Sequence, residues 1–229
     1  RKPDAIVGTD DVLENLNSDE KYIIDEKEYI KARLFDMLIG DWDRHFDQWR
    51  WGEYKVNDKI IYKPIPRDRD QAFTKYDGAF LAIAMNIPDL RHMQTFNHKI
   101  SSVKWFNREP YPLDLAFLKS STKQDWLDQA KFIQDNLSDD AIAEAFKQLP
   151  IEVQDETIES IKSKLKTRKS DLQKYASAYY KVLQKTVIVV GTNKKEKFII
   201  SKINPKQIEI QTIRLKKSGE EVILKKTIS

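Results

Sequence analysis

The sequence predicts an α+β protein: a mainly α-helical domain carrying one β-hairpin, followed by a small antiparallel β-module. Three observations predict it. Apolar residues recur at helical spacing through most of residues 25–183. Two strand-like runs interrupt that pattern around the turn residues Asn57 and Asp58. From Thr186 onward the period switches to two. The domains are therefore 1–184 and 185–229.

Residues 1–24 carry few periodic signals and read as an irregular lead-in. A helix starts near Asp25, which has capping-box spacing to Glu28. Ile30, Leu34, Met37 and Leu38 form its apolar stripe, and Gly40 fits just past its end. Residues 48–54 place Trp49 and Trp51 on one face of a strand, and residues 59–65 return as its hairpin partner. Pro64 and Pro66 are expected to end that second strand. Asp77 caps a short apolar helix through Met85, and residues 88–112 are loop with short helical turns.

Thr122 opens a helix with Trp126, Ala130, Ile133 and Leu137 at helical spacing. Ser138 opens another, with Ile142, Phe146 and Leu149, stopped by Pro150. Residues 155–183 are helical with a break near Ser170, where Ser170 and Gln173 are spaced as a second cap. Four strands follow, at 187–190, 197–203, 207–215 and 222–228, with Ser218 and Gly219 in the last turn.

Composition excludes several classes. Of 229 residues, 40% are hydrophobic, enough for a sizeable core and too many for wholesale disorder. The longest uncharged run, residues 78–88, falls far short of the ~20 residues a membrane helix needs. The absence of cysteine excludes disulfides, cysteine-ligated zinc and thiol nucleophiles. The chain begins at Arg1 with no apolar leader, and its last strand ends at the last residue, so it reads as a piece of something longer. The net charge of +4 is uneven: residues 185–229 hold 11 Lys/Arg against 4 Asp/Glu. Those lysines interleave with Ile and Val, the pattern of solvated outer faces of strands.

Chemistry concentrates in Gly40-Asp41-Trp42-Asp43-Arg44-His45-Phe46-Asp47-Gln48 and in Arg67-Asp68-Arg69-Asp70-Gln71-Ala72-Phe73. A hairpin separates the two segments, and its ends are close, so the acidic clusters face each other. Converging carboxylates with arginines beside them suit a divalent metal and phosphate. Protein kinases use the same order of parts: helix, loop with a base Asp, an amide five residues later, two strands, then a metal Asp. Here Asp43 precedes Gln48 by five residues, and Asp68 follows the hairpin.

The first segment resembles the GNxDRH loop of atypical kinases: HipA-type toxins, phosphatidylinositol 4-kinases and secretory-pathway kinases. Residues 68–73 resemble their DNGxAF metal motif. The resemblance implies a kinase C-lobe-like domain. It makes Asp43 the catalytic base, with Arg44 or His45 orienting the loop, and makes Asp68 a metal ligand for Mg²⁺ or Mn²⁺. Gln48 stands where those kinases place a metal-ligand Asn, Asp41 replaces an Asn, and Asp70 replaces a Gly and adds a ligand or merely a charge. Arg67 and Arg69 pair either the phosphates of a bound nucleotide or Asp41 or Asp47.

Longer stretches, KARLFDMLIGDWDRH with DQWRW, YKPIPRDRDQAF and residues 179–198, resemble the middle of large bacterial cell-surface proteins. In these a metallophosphoesterase domain precedes the segment and an outer-membrane barrel of the surface-antigen type follows. That implies a periplasmic, outer-membrane-associated setting and neighbouring domains of a longer parent chain as partners. The phosphoesterase metal motifs themselves are not assembled here.

Bland readings stand beside these. The bland reading of residues 43–45 is a surface salt-bridge cluster, which two such clusters bracketing one hairpin disfavour. His45 lacks a second His at ligand spacing, since His92 and His98 are distant in sequence, so it reads as a hydrogen-bonding group. Trp42, Trp49 and Trp51 read as core beneath the hairpin rather than as a base-stacking surface. Lys162, Lys164, Lys166, Arg168 and Lys169 read as a solvated helix face. A nucleic-acid role would need aromatics among the tail lysines, where only Phe198 stands. Residues 1–42 hold only Gly8 before Gly40, too little for a kinase phosphate loop with its Lys–Glu pair. The expectation is a phosphotransferase-type lobe, inactive as an isolated fragment, that takes ATP or another nucleotide, or a phosphorylated small molecule, only in the full-length parent. The rival is a non-catalytic pseudokinase scaffold linking an enzyme domain to a membrane barrel.

Overall fold

The computed structural model describes residues 1–76, 87 and 90–228; the short helix expected at 77–85 lies outside them. Residues 1–24, expected to be irregular, instead form β1 (Ala5–Val7), α1 (Thr9–Ser18) and β2 (Tyr22–Ile24). Three-residue strands are too short to show a period. They form because the hairpin offers them two edges. β3 (Trp49–Val56) and β4 (Lys59–Pro66) pair antiparallel, β1 adds antiparallel to β3, and β2 adds parallel to β4. The sheet order is β1-β3-β4-β2. Pro64 does not end β4. β2 covers only Ile60 to Tyr62, so Pro64 and Pro66 sit where β4 has a free edge and their missing N–H costs no ladder bond.

The helix α2 (Glu26–Ile39) runs as expected. Asp25 Oδ1 accepts from the Glu28 N–H at 3.1 Å, and Gly40 adopts a left-handed φ of 82° at the end. Glycine is required there twice over, because a Cβ would also meet Phe96 Cδ2 at 2.6 Å. α3 (Val103–Phe106) and α4 (Tyr111–Phe117) follow, then α5 (Lys123–Asn136), α6 (Asp139–Lys147), α7 (Glu156–Ser170) and α8 (Leu172–Leu183). The α7–α8 break falls where expected, but not on a Ser170–Gln173 cap. Asp171 closes one helix and opens the next with no side-chain cap bond.

The core forms where α2 meets the sheet on one side and α5, α7 and α8 on the other. Trp49 and Trp51 are completely buried beneath the hairpin, tilted against Tyr29, with Phe117 edge-on to Trp51. The core reading of these tryptophans therefore holds. Trp126 packs edge-on to Tyr179 and completes the α5–α8 contact.

A charged network runs through this apolar interior. Arg33, on α2, donates through Nε to Asp114 at 3.1 Å, through Nη1 to Asp36 at 2.8 Å and through Nη2 to Asn107 Oδ1 at 2.6 Å. Asp114 also accepts the hydroxyls of Tyr29 at 2.8 Å and Tyr179 at 2.5 Å. Burial works against the Arg33 charge, but Asp114 and Asp36 outweigh it and hold its pKa above the usual value. One buried group thus ties α2 to the α3–α4 segment and, through Asp114, to α8.

Arg168 departs from the solvated-strip reading. It is 1% exposed, and it donates to the carbonyls of Asn97 at 2.6 Å and Met37 at 2.9 Å while its guanidinium lies over Phe96. The Met37 carbonyl belongs to the last turn of α2, where a cation is favoured by the helix dipole.

The C-terminal module has three strands, not four: β5 (Glu196–Asn204), β6 (Gln207–Lys216) and β7 (Gly219–Ile228), antiparallel in that order. Residues 187–190 alternate in exposure but pair with no strand. The module is fastened to the first domain by Lys194–Asp19 at 3.4 Å, Arg214–Glu20 at 3.3 Å and a backbone bond from Asn193 to Asn17 at 2.8 Å.

Removing one partner of a buried charge set leaves the others uncompensated. Arg33→Met is expected to destabilise the fold by about 3–5 kcal/mol, measured by urea unfolding. A loss below ~1 kcal/mol, the range of an exposed pair, would show that the network is solvated.

Candidate functional site

The loop after α2 and the loop after β4 are held together by Arg44. Its guanidinium is fully buried. Nη1 donates to the carbonyls of Arg67 at 2.5 Å and Asp68 at 2.6 Å, and Nη2 to the carbonyl of Gln48 at 2.9 Å. The Arg67 N–H returns a bond to Gln48 O at 2.9 Å. The ring of Trp49 lies under the guanidinium, with 4.6 Å to the ring centre. Arg44 is therefore a positioning residue whose donors are committed to backbone and buried carboxylates.

Behind it sits Asp36, which the sequence reading did not single out. Its carboxylate receives Arg33 at 2.8 Å, Arg69 at 2.9 Å and Arg44 at 3.4 Å. The only signal for it was its place in the α2 sequence, two residues before Leu38 on a helix otherwise read as an apolar stripe. Arg69 thus pairs with Asp36 rather than with Asp41 or Asp47, and its guanidinium lies over Phe35. Arg67, one turn of chain away, is exposed.

Asp43 lies at the surface of this assembly, its side chain 26% exposed. His45 Nδ1 accepts the Asp47 N–H at 3.3 Å, and its Nε2 lies 3.7 Å from Asp43 Oδ1. Burial raises the Asp43 pKa; His45 opposes the rise, and Asp70 and Glu109 add to it. Asp70 therefore lies near enough to act on the Asp43 charge. His92, set aside in the sequence as distant from His45, also acts on Asp43; it sits 3.8 Å from Glu109 and against the Trp42 ring. A fold-level contact across 49 residues of chain left no local signal. Trp42 is nearly buried and donates to the Tyr76 hydroxyl at 3.0 Å, as core rather than as an exposed platform.

Asp68 adopts a left-handed φ of 45°, with its Oδ1 3.4 Å from the Asp70 N–H. Asp68 and Asp70 are both exposed. The Gln48 side-chain amide lies 3.4 Å from His45 Nε2, so the residue at the kinase amide position is engaged with the loop histidine. Among the described residues no three His, Asp or Glu side chains converge as a ready-made metal cage. A Mg²⁺ ion does not need one, since it is commonly held by one or two carboxylates plus substrate phosphates and water.

Asp41 differs in kind. It is 1% exposed, its Oδ2 lies 3.4 Å from Arg44 Nη1, and its Oδ1 is buried without a hydrogen-bond partner. Burial, then the nearby Asp36 charge, push its pKa up to about 7. No family model matches the chain, and no curated protein or solved structure matches it either.

A carboxyl whose pKa is higher folded than unfolded stabilises the fold below its unfolded value, near 3.9, and loses that contribution as pH rises through about 7. Asp41→Asn should therefore leave the melting temperature little changed at pH 5 and raise it by several degrees at pH 8. Equal melting shifts at both pH values would show that Asp41 is ionised throughout.

Proposed function

We propose that residues 1–184 are a phosphotransferase-type, atypical-kinase-like lobe that uses a divalent metal. The observation that supports this reading is the Arg44 clamp. It fixes the loop of Asp43 to the backbone of Arg67 and Asp68 across the hairpin, which in this reading brings the base and metal positions of the kinase order to one opening. In this reading Asp43 accepts the proton of the phosphate acceptor. His45 orients Asp43, Asp68 and Asp70 hold Mg²⁺ or Mn²⁺ with Gln48 beside them, and Arg67 meets phosphate. Arg69 supports the loop through Asp36 instead of binding nucleotide. The nucleotide phosphates would be cradled by a lobe that residues 1–42 do not supply, since these form β1, α1, β2 and α2. The setting we propose is a segment of a bacterial surface protein. No helix among the described residues is long and apolar enough to cross a membrane.

The observation favouring a scaffold role is the Gln48–His45 contact, which turns the amide of the metal position toward the loop itself. Metal linkage separates the two readings. Millimolar Mg²⁺ or Mn²⁺ should raise the melting temperature, because an ion that binds only the folded state stabilises it. Asp68→Asn should abolish the shift. Unchanged melting across the metal titration would favour the scaffold.

Activity gives the second test. The isolated segment should show no nucleotide turnover, because positioning supplies most of phosphoryl-transfer catalysis. In a longer parent chain, Asp43→Asn should lower transfer by at least ~10²-fold, the low end for a general base, and leave unfolding unchanged. Full transfer by that variant would remove Asp43 from the base role.

A further inference from the structure

A cavity of about 550 Å³ lies at the seam between the first domain and the C-terminal module, away from the Asp43 opening. This is within the size range of small-molecule pockets, ~300–1,000 Å³. Its walls are largely apolar: Tyr22 and Ile24 from β2, Ile61 from β4, Phe117 at the end of α4, and Leu224 from β7. Polar and charged residues, among them Glu20, Asp25, Glu26 and Lys27, interrupt them, and several of their atoms are unsatisfied. Thr212, on β6, is 2% exposed, lines the cavity, and its hydroxyl has no hydrogen-bond partner. Glu26 accepts the N–H and hydroxyl of Ser120 through Oε1, at 3.1 and 2.8 Å, but its Oε2 is buried and unpartnered.

Two lysines complete the polar end. Lys119 lines the cavity, and Lys226 lies close enough to act on the Glu26 charge. Both are half-buried, and burial lowers the pKa of each. Neither forms an ion pair among the described residues. Glu196 also acts on Lys119, but its carboxylate already receives the Thr192 N–H and hydroxyl. Two ammonium groups without an ion pair thus stand near Glu26 and beside a buried hydroxyl that lacks a partner; Glu20 also leaves its Oε2 unpartnered, but its Oε1 meets Arg214 at 3.3 Å. Unmade hydrogen bonds of buried groups are costly, and a ligand that makes them recovers that cost.

We propose that this seam binds an amphipathic organic monoanion, an aliphatic carboxylate, with its head between Lys119 and Thr212 and its chain along Ile61, Phe117 and Leu224. A single carboxylate leaves the Lys119–Lys226–Glu26 group neutral, which a dianionic phosphate would not. The apolar walls take the chain, and each buried CH₂ contributes about 0.8 kcal/mol. Because the walls come from both domains, an occupant also bridges the module to the helical domain.

Titration calorimetry of the full 229-residue chain with sodium decanoate, below its micelle concentration, tests this against 1-decanol. Decanoate should bind at one site and about tenfold tighter than the alcohol, the effect of a charge-assisted hydrogen bond. Lys119→Met and Thr212→Val should each remove most of that preference. Leu224→Trp should weaken both ligands. If a variant fails to fold, methyl chemical shifts of Thr212, Ile61 and Leu224 in the unaltered protein decide. Saturable shifts at these three support the site. No saturable binding, equal affinity for decanoate and 1-decanol, or decanoate affinity unchanged in folded Lys119→Met would overturn it.

Discussion

The structure turns on the carboxylate of Asp36. It stands inside the core on α2 and is approached by Arg33, Arg44 and Arg69, each from a different direction in the fold. Arg33 carries the helical side, through Asp114, Asn107 and the two tyrosine hydroxyls. Arg44 carries the loop after α2, and Arg69 the loop after β4. Neither loop has regular structure beyond a short 3₁₀ turn at Phe46–Gln48, so beyond the single bond from the Arg67 N–H to Gln48 O their mutual position is not set by a backbone ladder. It is set by arginine donors on backbone carbonyls, with the charge anchored at Asp36. Desolvating so many ions is expensive, and a well-packed apolar set could be as stable. What the ionic set adds is direction: a guanidinium in a fixed fork aligns two loops in a way that a leucine cannot.

That direction bears on chemistry because Asp43 sits one residue before Arg44. The clamp is buried, and Asp43 is left at the surface with its pKa raised by partial burial. Adjacent residues point apart, so locking the arginine inward presents the aspartate outward. The same logic explains why Arg69 turns in toward Asp36 while its neighbours Asp68 and Asp70 remain exposed. Each loop contributes one inward arginine and leaves the aspartates next to it at the surface, while Asp41 is buried.

The long periodic elements were legible in the sequence. α2, the hairpin, α5, α6 and the α7–α8 break follow from apolar spacing, from Asp25, Thr122 and Ser138 as caps, and from Gly40 as a stop. The expected facing of the two acidic segments also follows from hairpin geometry. Three things were not legible. β1 and β2 are too short to announce themselves and exist only as additions to the hairpin edges. Residues 187–190 have strand alternation but no partner, because alternation reports a half-buried extended chain rather than a ladder. Burial of Arg33, Asp36, Asp114 and Arg168 is invisible to pattern reading, since charged residues at helical spacing look solvated until tertiary partners are known.

Asp41 shows how the clamp and the titration of a single group are joined. With Arg33, Arg44 and the partly exposed Arg69 on one side and Asp36 and Asp114 on the other, the set already holds one more cation than anion. An ionised Asp41 would balance it. Yet only one of its oxygens faces a donor, at 3.4 Å from Arg44, and the other is buried with none. Desolvation therefore outweighs the attraction, and Asp36 repels the second charge, which places the pKa near 7. A neutral carboxyl presents one donor and one acceptor, much as an amide does. The protonated aspartate thus presents the same hydrogen-bonding groups as an asparagine, and it acquires a charge only as pH rises. Ionisation strengthens the Asp41–Arg44 pair while adding a second negative charge next to Asp36. The loop that carries Asp43 therefore carries its own proton-dependent tension, two residues from the group proposed as base.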